Sequence, residues 1–453
     1  VEKVFVVSAI LIIITLFAVL LIGYNFLATT ETQDVYVGVT YCGNSVADGK
    51  LLIDKVKPYT NLFVLQSSLL QRDFKSVDEL GDYAVSAGMY FLPYFGFYIN
   101  STFSAWLETA KQRWGTRFLG VYYSDEAGGK MLDDNVKFEN TATGDSIEKT
   151  RYGDIVLQKT DGVVVHYELN GIINLYEPVN QNVNLDTNET EGLYSTFYPN
   201  GTITGQLSNE SSFKTYEDLM SLRPFKNSDE TAERFLARDR DNIEYLSSSI
   251  NVFTSDYALF WWDYLSGYDI VLAHIGWNIS FAQQIGLARG AATLQNKDWG
   301  IVITWKYDRP PYLDNRTEIF NQMRDAYNAG AKYFVLFNYY ENDDNPYGTM
   351  EPEHFQALED FWNNVVKNPQ VTQGSIKPDA VLVLPKNYGW GMRSREDKVW
   401  GIFKANDTTH QLWDLAQTAL KDRGLKLNIV YQDPEFPLIE DYQYVYNWTQ
   451  DAH

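Results

Sequence analysis

Asp125 and Glu126 close the run RFLGVYYSDE (117–126), directly after Tyr122 and Tyr123. A carboxyl among aromatic rings is suited to proton transfer, because desolvation raises its pKa toward the working pH. Glu126 is therefore the expected acid–base group, and Asp125 is expected in substrate binding. While the strand persists, alternation turns the two side chains different ways. Chemistry by a carboxyl pair needs a second acid, about 5 Å away for one stereochemical outcome and farther for the other. Asp256, Asp308 and Glu341 follow other apolar runs and are the candidates. His274, Trp277, Trp305 and Tyr307 also follow apolar runs, and Tyr41 ends DVYVGVTY (34–41). The aromatic residues offer flat faces for a ligand. His274 offers a hydrogen bond or a proton shuttle.

Residues that lie far apart in the chain must be gathered by its elements. From Asp269 to Glu341 the sequence reads strand (269–275), helix (280–294), strand (299–306), helix (318–331), strand (332–340). Such alternation with short links predicts parallel strands with helices outside. Earlier strands are expected at 34–41, 61–68, 90–99 and 117–126, and another at 251–257. Helices are expected at 46–57, at 76–89 with Ser76 and Glu79 as a capping box, at 102–115, 233–250, 258–267 and 354–366. Eight strand–helix units over 34–368 predict a (β/α)8 TIM-like barrel, whose strand ends form the reactive mouth. A doubly wound sheet is the alternative. Residues 127–230 break the rhythm with hairpin signals and read as a β-rich insertion after strand 4, either decorative or a lid over the mouth. Strand–helix–strand signals at 379–385, 410–424 and 425–431 predict a small α/β module over 375–453.

This rhythm, with a Glu at strand four, resembles the barrel glycoside hydrolases. The resemblance implies cleavage or binding of carbohydrate by carboxyl chemistry. In the large retaining group an Asn-Glu pair ends strand four and a Glu ends strand seven. Here the pair is Asp125-Glu126, and Trp305-Lys306-Tyr307-Asp308 contains no Glu, so the nucleophile is unassigned. The spaced Asp residues of the chitinase-like group are also absent, with Gly120, Tyr122 and Ser124 in their place. The C-terminal module resembles the flavodoxin-like accessory modules of some barrel glycosidases. The Trp305–Asp308 stretch with Pro310-Pro311-Tyr312-Leu313 resembles archaeal membrane-anchored proteins, which supplies no activity.

Residues 4–30 contain no charged side chain, and 4–22 are almost all apolar, enough for a transmembrane-type helix. A retained anchor in residues 1–30 is favoured over a signal peptide, since Ala28-Thr29-Thr30 is a poor cleavage site. The segment weakly resembles the N-terminal helix of archaeal type IV pilin-like proteins. Glycan acceptors are expected after it, on the N-x-Ser/Thr signal, at Asn100, Asn140, Asn188, Asn200, Asn209, Asn278, Asn315, Asn406 and Asn447. Together these predict a single-pass protein of the cell membrane with an extracellular main domain. A cell-surface filament or homo-oligomer assembled through the apolar helix, and a non-catalytic glycan-binding barrel, are the alternatives.

The formal charge of -22 argues against nucleic acid, which wants a basic surface. Five His and one Cys argue against a structural zinc site, and Glu341–Asn345 lacks EF-hand spacing. No metal or cofactor is expected.

Overall fold

The barrel strands alternate inward and outward with period two, and this alternation closes them around an apolar axis. In the computed structural model, eight parallel strands form a closed barrel. They are β1 (Tyr36–Tyr41), β2 (Leu62–Leu65), β3 (Tyr90–Phe95), β4 (Val121–Tyr123), β12 (Val252–Asp256), β13 (Ile270–Ile275), β14 (Asp298–Ile303) and β15 (Tyr333–Leu336). The structure describes residues 35–448 except 97–98, 141–142, 179–191, 278, 340–344 and 439–440.

The barrel interior is filled by Leu62, Val64, Leu92, Tyr122, Phe253, Ile270, Leu272, Val302, Tyr333 and Val335. Burying each such side chain contributes about 1.5–3 kcal/mol. Tyr36 stacks on Tyr333 at 4.8 Å and lies edge-on to Tyr90 at 5.0 Å, which plugs the N-terminal end. Gly120 lets β4 approach its neighbour, since a Cβ there would lie 2.0 Å from the Asn251 carbonyl. Pro93 sits where pairing changes partner. The β2–β3 register ends at Leu65–Pro93, and Tyr94 and Phe95 pair with β4.

The outer helices include α1 (Val46–Val56), α2 (Phe74–Ser86), α3 (Ser101–Trp114), α4 (Ala127–Asp133), α8 (Phe260–Leu265), α9 (Phe281–Leu294), α10 (Arg316–Ala329) and α11 (Pro352–Phe361). Two helix boundaries differ from expectation. Asp73, not Ser76, caps α2, accepting from Lys75 N at 3.2 Å and Ser76 Oγ at 2.6 Å. The helix expected over 233–250 is two, α6 (Ser228–Ala237) and α7 (Arg240–Ser247), because Asp239 leaves the helical region at φ -119, ψ 6.

The insertion forms a seven-stranded antiparallel meander. It runs from β5 (Val136–Asn140) through β6 (Asp145–Lys149), β7 (Ile155–Gln158), β8 (Val164–Tyr167), β9 (Ile173–Pro178) and β10 (Gly192–Phe197) to β11 (Ile203–Gly205), and α5 (Tyr216–Leu222) follows. At the C-terminus, β16 (Ala380–Leu384) lies between β17 (Leu427–Tyr431) and β18 (Tyr444–Asn447) in a parallel sheet, with α12 (Asp407–Arg423) crossing over. This sheet packs on the barrel rather than standing apart. Arg289 of α9 donates to Asn428 Oδ1 at 2.7 Å and to the Leu425 and Leu427 carbonyls. Trp262 of α8 meets Trp400 and Tyr431 at 4.8 and 4.4 Å.

Among the described residues no helix is long and apolar enough to cross a membrane. Even the 17-residue α12 carries charges along its length. This corrects the expected transmembrane-type anchor. The segment that carried that expectation, residues 4–30, lies outside the described residues. The membrane partner, the single-pass extracellular topology and the filament or homo-oligomer, expected from that segment together with the N-x-Ser/Thr signals, are likewise without support among the described residues.

Candidate functional site

The mouth of the barrel is built from the last inward position of each strand, where polar groups replace the aliphatic core. Thr40, Gln66, Tyr122, Ser255, His274 and Thr304 occupy those positions around a cavity of about 420 Å³. Its floor is Val64, Leu272, Val302, Val335 and Phe337, and its wall includes Trp277, Trp305 and Tyr339. Asp125 and Glu126 both open into it. The expected alternation of these two fails because β4 stops at Tyr123. Ser124 and Glu126 then take left-handed conformations, with φ 57 and 55, which re-aim the chain. Such conformations cost about 1–3 kcal/mol each in non-glycine residues. Backbone bonds resist that cost: Ser124 N donates to Phe95 O at 3.1 Å and Glu126 N to Ser255 O at 2.8 Å.

The polar side chains form a connected network. Asp125 Oδ1 accepts from the Tyr122 hydroxyl and from Ser255 Oγ at 2.9 Å. Gln66 Nε2 donates to Asp125 Oδ2 at 3.3 Å. Ser255 Oγ lies 2.7 Å from His274 Nε2, and His274 Nδ1 lies 3.5 Å from Glu126 Oε1. Lys130 Nζ approaches Glu126 Oε2 at 3.9 Å and donates to the Asp125 carbonyl at 2.7 Å.

Burial sets the protonation states. It pushes Glu126 above the ordinary Glu range, against the pull of Lys130. It also raises Asp125, helped by repulsion from Glu126 and opposed by His274 and the Tyr122 bond. Burial lowers His274 to about 4, so its ring is neutral at physiological pH. The two carboxyls and the neutral imidazole thus hold a proton in common more readily than two full negative charges.

Of the other expected groups, Trp277 and Trp305 reach the cavity. Trp305 packs on Tyr312 at 5.0 Å and edge-on to Tyr339 at 5.4 Å. Asp256 does not reach it. Phe253 and Ser255 face the barrel axis, so Asp256 faces outward. There it accepts from Gly128 N, Gly129 N, Tyr257 N and Ala258 N at 2.6, 2.8, 2.7 and 3.1 Å, and so fixes the start of α4. Burial pushes its carboxyl up to about 7 despite these donors. Tyr41 follows inward Thr40 and is likewise buried behind the barrel, its hydroxyl on Ser45 O. Asp308 and Tyr307 are exposed on the loop after β14 and do not line the cavity, and Lys306 pairs with Asp314 instead of Asp308. Glu341 lies outside the described residues. None of the described residues lining the cavity comes from the meander.

Gln66, Ser255 and Tyr339 were not singled out in the sequence. Counting in twos from the apolar inward residues of each strand finds the first two. Asn100, Asn315 and Asn406 serve as N-caps, accepting from Phe103 N, from Thr317 N and Glu318 N, and from Thr409 N respectively. Asn200 and Asn209 are exposed, Asn447 is half-buried, and Asn188 and Asn278 lie outside the described residues. Asn140 is followed by Thr141-Ala142 and is not an N-x-Ser/Thr acceptor.

No family model and no curated protein matches the chain. Among solved structures, the chain is similar to GH5_18 from Streptomyces cattleya in complex with GlcNAc. The TM-score is 0.44 at 8% identity, over 92% of this chain and 99% of that one. It is also similar to ScGas2 in complex with compound 9, at TM-score 0.35 and 11% identity over 76% of this chain and 68% of that one. These likenesses lend nothing to the membrane-anchored or pilin-like resemblance, which is set aside.

Proposed function

We propose that the chain acts on carbohydrate as an acid–base hydrolase of the glycoside hydrolase-like barrels, with Glu126 as its proton donor and acceptor. One observation carries this reading. A Glu carboxyl, raised by burial yet 30% exposed, opens into the barrel-mouth cavity within reach of a neutral His. Protonated Glu126 gives its proton to the leaving oxygen of a glycosidic bond. As a carboxylate it then takes a proton from the incoming water. His274 and Lys130 hold it in place. Trp277, Trp305 and Tyr339 supply faces for the C–H side of a sugar ring. The acidic net charge of -22 suits a neutral substrate over a polyanion.

Glu126→Gln tests this reading. On a glycan that the unaltered chain hydrolyses, kcat falls about 10²–10⁴-fold while sugar binding is retained. Full activity in the variant would overturn the assignment. A glycan-binding barrel without turnover is the second reading. It is favoured by the carboxyls at the mouth, which among the described residues both come from one strand end. In that case sugars bind to the unaltered chain and to Glu126→Gln alike, and none is cleaved.

A further inference from the structure

The antiparallel insertion carries an ammonium where its alternation calls for an apolar side chain. Val136, Lys149, Ile155, Tyr167, Ile173 and Phe197 pair in register across the meander from β5 to β10. All six are buried, and Lys149 is the only charged member of the row. An ammonium withdrawn from water is costly without partners, so the contacts of Lys149 show what holds it there. They are the end of a helix. Its Nζ donates to the Leu132 carbonyl at 2.9 Å and to the Asp134 carbonyl at 3.2 Å, at the C-terminal end of α4. The last carbonyls of a helix lack partners within it and form its negative end, which a cation suits. Gly401 covers this contact. A Cβ there would stand 2.5 Å from the Leu132 carbonyl oxygen and 2.9 Å from Lys149 Nζ.

The same helix starts at Glu126. At that end the Asp256 carboxyl accepts from Gly128 N and Gly129 N. Between the ends, Lys130 donates to the Asp125 carbonyl and approaches Glu126 Oε2. An acid at the N-terminal end and a base at the C-terminal end thus hold a helix of 7 residues, each matched to its dipole. A helix this short has little stability of its own, so its position depends on its anchors. We infer that Lys149 is a positioning residue for Glu126: its ammonium closes the C-terminal end of α4 and so fixes where that helix presents Glu126 and Lys130. The insertion thereby takes part in the site from behind the cavity. The inference rests on the acid–base reading of Glu126 given above. It also gives the site an alkaline limit. Burial lowers the Lys149 ammonium to about 8, against the pull of Asp133 and Asp134 and with the push of Lys398 and Arg393, the charged groups that face it. Above that pH a neutral amine stands at the helix end, and the hold on α4 weakens.

The test is a carboxyl titration by NMR. With the Glu side-chain carboxyls isotopically labelled, the Glu126 signal is the one missing from Glu126→Gln. Its shift is followed from acid to alkaline pH in the unaltered chain and in Lys149→Met, which keeps the stem and removes the charge. The unaltered chain is expected to show two inflections, one for Glu126 itself above the ordinary Glu range and a smaller one near pH 8. In Lys149→Met the second is expected to vanish and the first to fall toward the ordinary range, because a loosened α4 lets water reach the carboxyl. A brace unconnected with the site would change stability and leave both inflections in place, and that outcome overturns the inference. If Lys149→Met fails to fold, the unaltered chain with labelled lysines decides. One lysine must then share its midpoint with the alkaline inflection of Glu126, and no shared midpoint overturns the inference. On a glycan that the unaltered chain hydrolyses, Lys149→Met is expected to lower kcat about 10–10²-fold with KM little changed, as displacement of a reacting group does. An unchanged kcat overturns the role of Lys149 and leaves the acid–base reading to Glu126→Gln. If the unaltered chain hydrolyses no glycan, the acid–base reading falls, while the carboxyl titration still decides whether Lys149 positions Glu126.

Discussion

The His274 ring joins two parts of the site, with Nε2 on Ser255 and Nδ1 toward Glu126. Its neutrality has a measurable consequence. The folded ring takes a proton only near pH 4, against 6.5 for a free His. Between these values the unfolded chain binds a proton that the folded chain refuses, so stability rises with pH across this window. Above about 6.5 neither state is protonated and the effect is constant. On acidification from about 6.5 to about 4, the unaltered protein is expected to lose stability relative to His274→Gln. The loss is on the order of 3 kcal/mol, from about 1.4 kcal/mol per pKa unit. Urea unfolding of both proteins at several pH values measures it, and parallel pH curves would refute it.

At the scale of elements, one strand divides its polar residues between two tasks. Ser255 faces the barrel axis and joins the polar network of the mouth, while Asp256 faces outward and satisfies four backbone N–H groups, two of them at the start of α4. Since α4 follows Glu126 directly, Asp256 braces the turn that carries Glu126 from outside the cavity. Asp256→Ala leaves buried donors unpaired at about 1–3 kcal/mol each. A loss of about 3 kcal/mol or more is therefore expected in chemical denaturation, together with reduced activity. A change below about 0.5 kcal/mol would mean that water replaces the carboxylate at these donors.

From Tyr36 onward, the described residues form one compact unit. The C-terminal sheet belongs to it through α9, whose Gly286 and Gly290 face β17. A Cβ at Gly290 would stand 2.6 Å from the Ile429 carbonyl. Backbone cannot yield as a flexible side chain does, so Gly290→Val is expected to destabilise by about 1–3 kcal/mol. Intrinsic fluorescence and far-ultraviolet dichroism should still report a single shared transition. Separate transitions would show that the sheet folds independently of the barrel.

The order of the barrel strands was legible in the sequence, because period-two and period-3.6 patterns are local properties of the chain. The barrel strands and the hairpin-built insertion follow from such patterns. The polar rim at Gln66, Ser255 and Thr304 was legible too, by counting in twos. Asp256 and Tyr41 were misplaced because a shift of one residue turns a side chain to the opposite face. Closure of the barrel alone decided the rest. It brought His274 of β13 against Glu126 after β4, across the intervening β12. The left-handed turn at Ser124 put Asp125 and Glu126 into one cavity. Their pKa values followed, because desolvation depends on which atoms crowd a group from every direction, and neighbours in sequence supply only a few of them.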